Sequence, residues 1–227
     1  MTTKERILDE ALTLFSKNGY DGASVKDIAN AVGIKDSSLY KHFKSKYEIF
    51  ETIIEQMGNR VEEMHNKLQV PDARSQDVSI CFANMTTETL VEITKKLFLF
   101  YLKDSVVGRL RRLLTIEQYR NSEIAETYKK IYIDSAIDYQ TEVFQQMIAA
   151  GKFVEGDPYI MAIHFYSPIF LLLCKADNVP EKEEAVLEIL EKHVIHFGKM
   201  YSAWNDILVL WKKVISVLKL IRLKLFP

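Results

Sequence analysis

The chain has 227 residues, of which 48% are hydrophobic and 27% charged, the ordinary balance of a folded, soluble protein. A net charge of −1 excludes a generally basic nucleic-acid coat, and eight glycines and five prolines leave little room for linkers or turn-rich sheet. Helix-period patterns run almost throughout, so an all-α fold is expected. Cys81 and Cys174 lie far apart in apolar surroundings, and without a signal-peptide pattern they read as reduced thiols of a cytoplasmic protein.

The first helix is expected to start at Thr2 or Thr3, where Thr2 and Glu5 form a capping box, and to end at Asn18-Gly19. Its stripe of Ile7, Leu8, Ala11, Leu12 and Phe15 completes a core with the segment that follows. There, Ser24 to Asp27 is a near capping box, and Val25, Ile28, Ala29 and Val32 form a short apolar stripe. Gly33 sits where a helix end needs a left-handed residue. Ile34, Leu39 and Phe43 continue the apolar set, with Lys35, Asp36, Ser37, Ser38, Tyr40, Lys41 and His42 between them. Ser45 to Glu48 reads as a full capping box opening the next helix. Ala29, Gly33 and Leu39 supply the small contact residue, turn glycine and apolar anchor of a helix-turn-helix.

The run from Gly33-Ile34 through Leu39-Tyr40-Lys41-His42-Phe43 to Ser45-Lys46 and Glu48 resembles the tetracycline-repressor (TetR) family of transcriptional regulators. The resemblance covers about the first 50 residues, and the tyrosine-x-histidine-phenylalanine run makes it more specific than a bare helix-turn-helix. From the residues themselves, Lys35, Asp36, Ser37, Ser38 and Lys41 are candidates to reach base edges or nearby phosphates. The resemblance assigns Tyr40, His42 and Lys46, with Ser24, Val25 and Lys26, to the phosphate backbone. Lys44 joins Lys35, Lys41 and Lys46 in a local basic surface opposed by Asp36 alone, although charge runs are ordinarily solvated faces. Asp36 departs from the family pattern; it either caps its helix or accepts from a cytosine amino group, and the cap is the expectation.

Beyond the motif, Ile49, Phe50, Ile53, Ile54, Met57, Val61, Met64 and Leu68 keep the helical period for six turns. A break at Val70-Pro71-Asp72 precedes a stretch without clear period to residue 85. Helices are expected from near Thr87, from about Asp104 to Tyr119, and from a Ser122 cap to just before Gly151. Asp157-Pro158 opens a helix that is apolar nearly all round from Ile160 to Cys174, with a kink expected at Pro168. At 15 residues and with His164 and Ser167 inside, that segment reads as too short and too polar for a membrane span. A last helix follows Pro180. The expected organisation is therefore a DNA-binding domain over 1–48, a ligand-binding and dimerisation domain over 49–204, and a basic amphipathic tail over 205–227. The tail carries four net positive charges, and reads as a packing helix, a membrane-surface helix or a non-native extension.

A helix apolar on every side must be buried in the core or between subunits. The resemblance implies a four-helix dimer interface from the last two helices, placing Ile160, Ile163, Phe170, Leu187, Leu190, Val194 and Phe197 there. It also implies an inducer cavity, for which Phe98, Tyr101, Arg109, Tyr119, Tyr128, Tyr132 and Phe165 are candidates; aromatics at helical spacing are otherwise plain core. His193 and His196 sit three apart, but no third ligand accompanies them, so no metal and no cofactor are expected. No phosphate loop or nucleophile motif points to an enzyme. The expected function is a ligand-responsive, homodimeric regulator, a repressor binding a palindromic double-stranded DNA operator and a small-molecule effector. The rival is a helical small-molecule-binding or membrane-associated protein whose helix-turn-helix no longer binds DNA.

Overall fold

The computed structural model describes residues 1–72, 81, 86–177 and 179–203. It is about 78% helical, which confirms the all-α expectation. By packing, the described residues fall into one unit within 1–70 and 93–136 and another within 71–92 and 137–203.

In the first unit, α1 (Thr3–Asn18) begins at the expected box: Glu5 N–H donates to the Thr2 hydroxyl at 3.2 Å and Thr2 N–H to the Glu5 carboxylate at 2.7 Å. It ends at Gly19 with φ +79°. α2 (Val25–Val32) opens on a complete box, because the shorter Asp27 still reaches the Ser24 amide at 2.9 Å. α3 (Asp36–Leu39) is a single turn, and α4 (Lys46–Lys67) runs for 22 residues. The box expected at its start is only half formed: Ser45 accepts from Glu48 N–H at 3.0 Å, but the Glu48 carboxylate takes the Lys44 amide at 2.5 Å instead of that of Ser45. Ile7, Leu8, Ala11, Leu12 and Phe15 of α1 close on Ile28, Ala29 and Val32, on Leu39 and Phe43, and on Ile49, Phe50, Ile53 and Met57, all of them buried.

α5 (Thr87–Lys103) leads into α6 (Val107–Glu117). α6 starts later than the expected Asp104 because that residue is a cap; its carboxylate accepts from Val106 and Val107 N–H at 2.9 and 3.0 Å. The same carboxylate pairs with Arg60 of α4 at 2.7 Å. α7 (Ser122–Lys129) is capped by Asn121, not Ser122, since the amide oxygen of Asn121 accepts from Glu123 and Ile124 N–H. The expected long helix is also interrupted, by a π-helical turn at Lys130–Asp134 before α8 (Ser135–Ala149).

The second unit holds most of α8, α9 (Pro158–Ala176), a 3₁₀ turn (Pro180–Lys182) and α10 (Glu183–Tyr201). Asp157 caps α9 as expected, accepting from Tyr159 N–H at 2.9 Å. Val143, Phe144, Met147, Met161, Ala162 and Phe197 form its core, with Phe144 and Phe197 rings 5.3 Å apart. An isolated bridge between Phe153 and Ser202 ties the loop after α8 to the end of α10. α9 is 19 residues, roughly 28 Å of helix, and extends past both ends of the 15-residue apolar segment. It is the one described helix long and apolar enough to cross a membrane by length and composition. Its Met161, Ala162, Leu172, Leu173 and Ala176 are buried within the protein, whereas Ile160 and Leu171 are 56% and 66% exposed. The tail at 205–227, and nearly all of the aperiodic stretch after Asp72, lie outside the described residues.

Candidate nucleic-acid interface

The turn between α2 and α3 is set by Gly33, whose φ of +76° lets Gly33 N–H reach the Asn30 carbonyl at 3.1 Å and Ile34 N–H the Ala29 carbonyl at 3.0 Å. Arg6 of α1 donates to the Val32 carbonyl at 2.5 Å and satisfies another orphan group at the same helix end. α3 is too short to stand by itself; Leu39 and Phe43, 0% and 2% exposed, pin its inner side. Everything polar is thereby turned outward: Lys35, Asp36, Ser37, Tyr40, Lys41, His42 and Lys44 are exposed, and Ser38 is half-buried. Tyr40 stands out at 54% exposure although it directly follows the core residue Leu39.

Three residues of the motif are engaged in ways that bear on their expected roles. Asp36 is the first helical residue of α3, with Lys35 at the capping position, and no side-chain cap is made there. The expected capping role is therefore corrected: one residue too far in, the carboxylate cannot reach back to the open amides. Lys46 is half-buried; its ammonium donates to the Tyr20 carbonyl at 3.0 Å and lies 4.3 Å from the centre of the Tyr20 ring. Ser24 is exposed, but its hydroxyl donates to Asp27 at 2.6 Å, and that bond with the Ser24 amide holds the Asp27 carboxyl below the usual carboxylate range. Beside it, Val25 is half-buried and Lys26 exposed. The surface carries cations, hydroxyls and one acid on a one-turn helix beside a glycine turn, with no buried titratable pair or nucleophile. Such a surface can bind phosphate and read base edges.

Residues 7–53 match the model of the bacterial regulatory proteins of the tetR family. The chain is 29% identical over 154 residues to IcaR of Staphylococcus aureus, the negative transcriptional regulator of the biofilm operon icaADBC, covering 64% of this chain and 77% of that one. It is 46% identical over 56 residues to IcaR of Staphylococcus epidermidis, 25% of this chain and 30% of that one. A TetR regulator from Chloroflexus aurantiacus superposes with a TM-score of 0.65 at 20% identity, covering 88% of this chain and 96% of the other. SmeT in complex with triclosan does so with a TM-score of 0.60 at 20% identity, covering 88% and 90%. Residues 7–53 thus resemble the DNA-binding unit of the TetR family. Their helix-turn-helix is that of a transcriptional regulator, and the fold likeness extends through the helices beyond it.

Of the expected effector residues, six lie in the first unit and Phe165 in the second. Phe98, Tyr128 and Tyr132 are buried in the first unit; the two tyrosine rings lie 5.6 Å apart and the Tyr132 hydroxyl meets the Met57 sulfur at 3.4 Å. Tyr101 is half-buried, and burial pushes its phenol up to about 12. Tyr119, 86% exposed just past the end of α6, lines no interior and is corrected to a surface residue. The Arg109 guanidinium is engaged by Asp9 at 2.6 Å and the Thr13 hydroxyl at 2.9 Å, both on α1. Phe165 belongs to the second unit, stacked edge-on against Phe197 at 4.8 Å. Arg111 and Glu117, each 2% exposed, are the buried charges that the sequence reading missed. The signal was present: Arg111 falls on the same helical face as Val107, Leu110 and Leu114, which are all buried. A groove of about 150 Å³ lined by Arg60, Glu63, Met64, Lys67 and Phe100 is smaller than drug-sized ligand sites of about 300–1,000 Å³.

The expected dimer residues divide in the same way. Ile160 is exposed, and Ile163, Phe170 and Leu187 are half-buried. Leu190, Val194 and Phe197 are 0%, 7% and 4% exposed within a single chain, which corrects their assignment to a face offered to a second copy. They fall on the inner side of α10, where they complete the core of the unit.

Proposed function

We propose that this regulator is a homodimeric repressor that binds a palindromic DNA operator through α3 and releases it when a small-molecule effector binds. The observation that carries this reading is the outward display of Lys35, Asp36, Ser37, Tyr40, Lys41, His42 and Lys44 on a turn whose inner side is fixed by Leu39 and Phe43. Lys35, Asp36, Ser37, Ser38 and Lys41 read base edges, while Tyr40, His42, Lys44 and Lys46 with Ser24, Val25 and Lys26 hold phosphates. A lone recognition helix reads only a few base pairs, so two copies are needed, about 34 Å apart along the duplex.

Repression is supported by the likeness to IcaR, a negative regulator, and effector control by the likeness in fold to SmeT, whose solved complex holds triclosan. α6 is placed to carry the signal, because Arg109 grips α1 and the Asp104 cap at its start grips α4. To weaken operator binding a hundredfold, the effector must favour the unbound form by only about 2.7 kcal/mol. A DNA-binding regulator of this kind works in the cytoplasm. Gel-shift titration of the purified protein at two salt concentrations tests the reading: sequence-selective binding that weakens with salt is expected, and indifference to every genomic fragment overturns it.

A further inference from the structure

We infer that Asp36 is a specificity-determining residue, which selects cytosine at one position in each half of the operator. The inference rests on the regulator reading above and goes beyond it to a base. Asp36 is exposed, the first residue of α3, and among the described residues its carboxylate makes no hydrogen bond or ion pair. The cap role that an acid at a helix start ordinarily plays is not filled here. A core role is excluded by exposure, and none of Lys35, Lys41 and Lys44 forms an ion pair with it. An unengaged acid on a surface that meets phosphates weakens binding unless it gains a partner on the duplex.

The chemistry of the groove names that partner. An ionised carboxylate only accepts hydrogen bonds. Guanine offers two acceptors on its major-groove edge and thymine a carbonyl and a methyl group, so both repel it. Adenine offers an amino donor, but its N7 acceptor stands directly beside it and opposes the second carboxylate oxygen. Cytosine offers its amino group with no acceptor adjacent on the same base. The recognition helix enters the groove by its N-terminal residues, which is where Asp36 sits. Its single methylene gives it little reach, so the preference is confined to one base pair.

Selection from a random duplex library, followed by sequencing, tests this with the full-length protein and the variants Asp36→Asn and Asp36→Ala. The wild type is expected to enrich a two-fold-symmetric site with one invariant cytosine per half. Asp36→Asn should move that position to adenine, whose adjacent donor and acceptor an amide matches. Asp36→Ala should level that position alone. Replacing the cytosine by thymine should weaken the wild type by about 5- to 150-fold and Asp36→Ala by less than about twofold. Circular dichroism melts confirm that both variants fold, as expected for an exposed site. A site selected unchanged by Asp36→Ala overturns the assignment and leaves the regulator reading standing. A wild type that enriches no sequence overturns both.

Discussion

Lys46 donates to the Tyr20 carbonyl and lies over the Tyr20 ring, which itself packs against Phe15 at 5.2 Å and Phe50 at 5.1 Å. It thus fastens the loop after α1 to the start of α4, in addition to the phosphate contact the family motif implies. Lys46→Ala is therefore expected to lose about 1 kcal/mol of stability, read as a melting point lower by a few degrees, and to reduce the salt slope of DNA binding by about one. Tyr40→Ala separates the two effects. At 54% exposure its ring supports no core, so the melt should stay put while affinity for every sequence falls about fivefold, as measured by fluorescence anisotropy. At this scale the sequence identified the exposed surface but not the engagements. Nothing local places Arg109 on Asp9, 100 positions away, because only the packing of α6 on α1 brings the pair together.

Helix ends follow the same logic at the level of elements. The caps at Thr2, Ser24 and Asp157 were legible, since a cap needs only residues within one turn of each other. The starts of α6 and α7 were not: Asp104 and Asn121 compete with neighbouring polar residues, and the packing of the unit chose between them. Gly33→Ala places a Cβ in open space, so its cost is the left-handed backbone alone, about 1 kcal/mol in a urea melt. Gly19→Ala should cost visibly more, because its Cβ would come within 2.6 Å of the buried Glu117 carboxylate. α10 carries a pH effect. Burial, chiefly, holds the His193 imidazole below its ordinary value, with His164 and His196 acting the same way against the bond to the Phe165 carbonyl. The folded state then binds fewer protons than the unfolded one, so stability is full above about pH 6.5 and falls as the pH drops through the depressed folded value. Urea midpoints at pH 7.5 and 5.5 should show this decline, and His193→Gln should flatten it, leaving the part due to His65, which burial also depresses.

For the whole molecule the question is which apolar residues serve the fold and which serve a second copy. Leu190 is fully buried in one chain, so Leu190→Ala should destabilise the protein by about 2–5 kcal/mol in a denaturant melt. Leu171 and Ile160 are 66% and 56% exposed on α9, and a glutamate at Leu171 should leave the fold intact. On the proposed dimeric reading, sedimentation velocity should then show a dimer for the wild type and a monomer for the variant, and the variant's operator affinity should fall with dimerisation. A wild type that sediments as a monomer removes the basis for the paired reading heads.

The sequence by itself determined the helical class, the helix-turn-helix with its glycine turn and anchors, and the resemblance of that motif to the TetR family, because each depends on residues within a few turns of one another. The tertiary structure alone decided which side chains those local signals leave free. It engaged Arg109, buried Arg111 and Glu117, released Asp36 from its cap and turned Leu190, Val194 and Phe197 inward. Periodicity marks a face as apolar, but a helix that is apolar all round has no face to choose, and what it buries is set by the neighbour it meets.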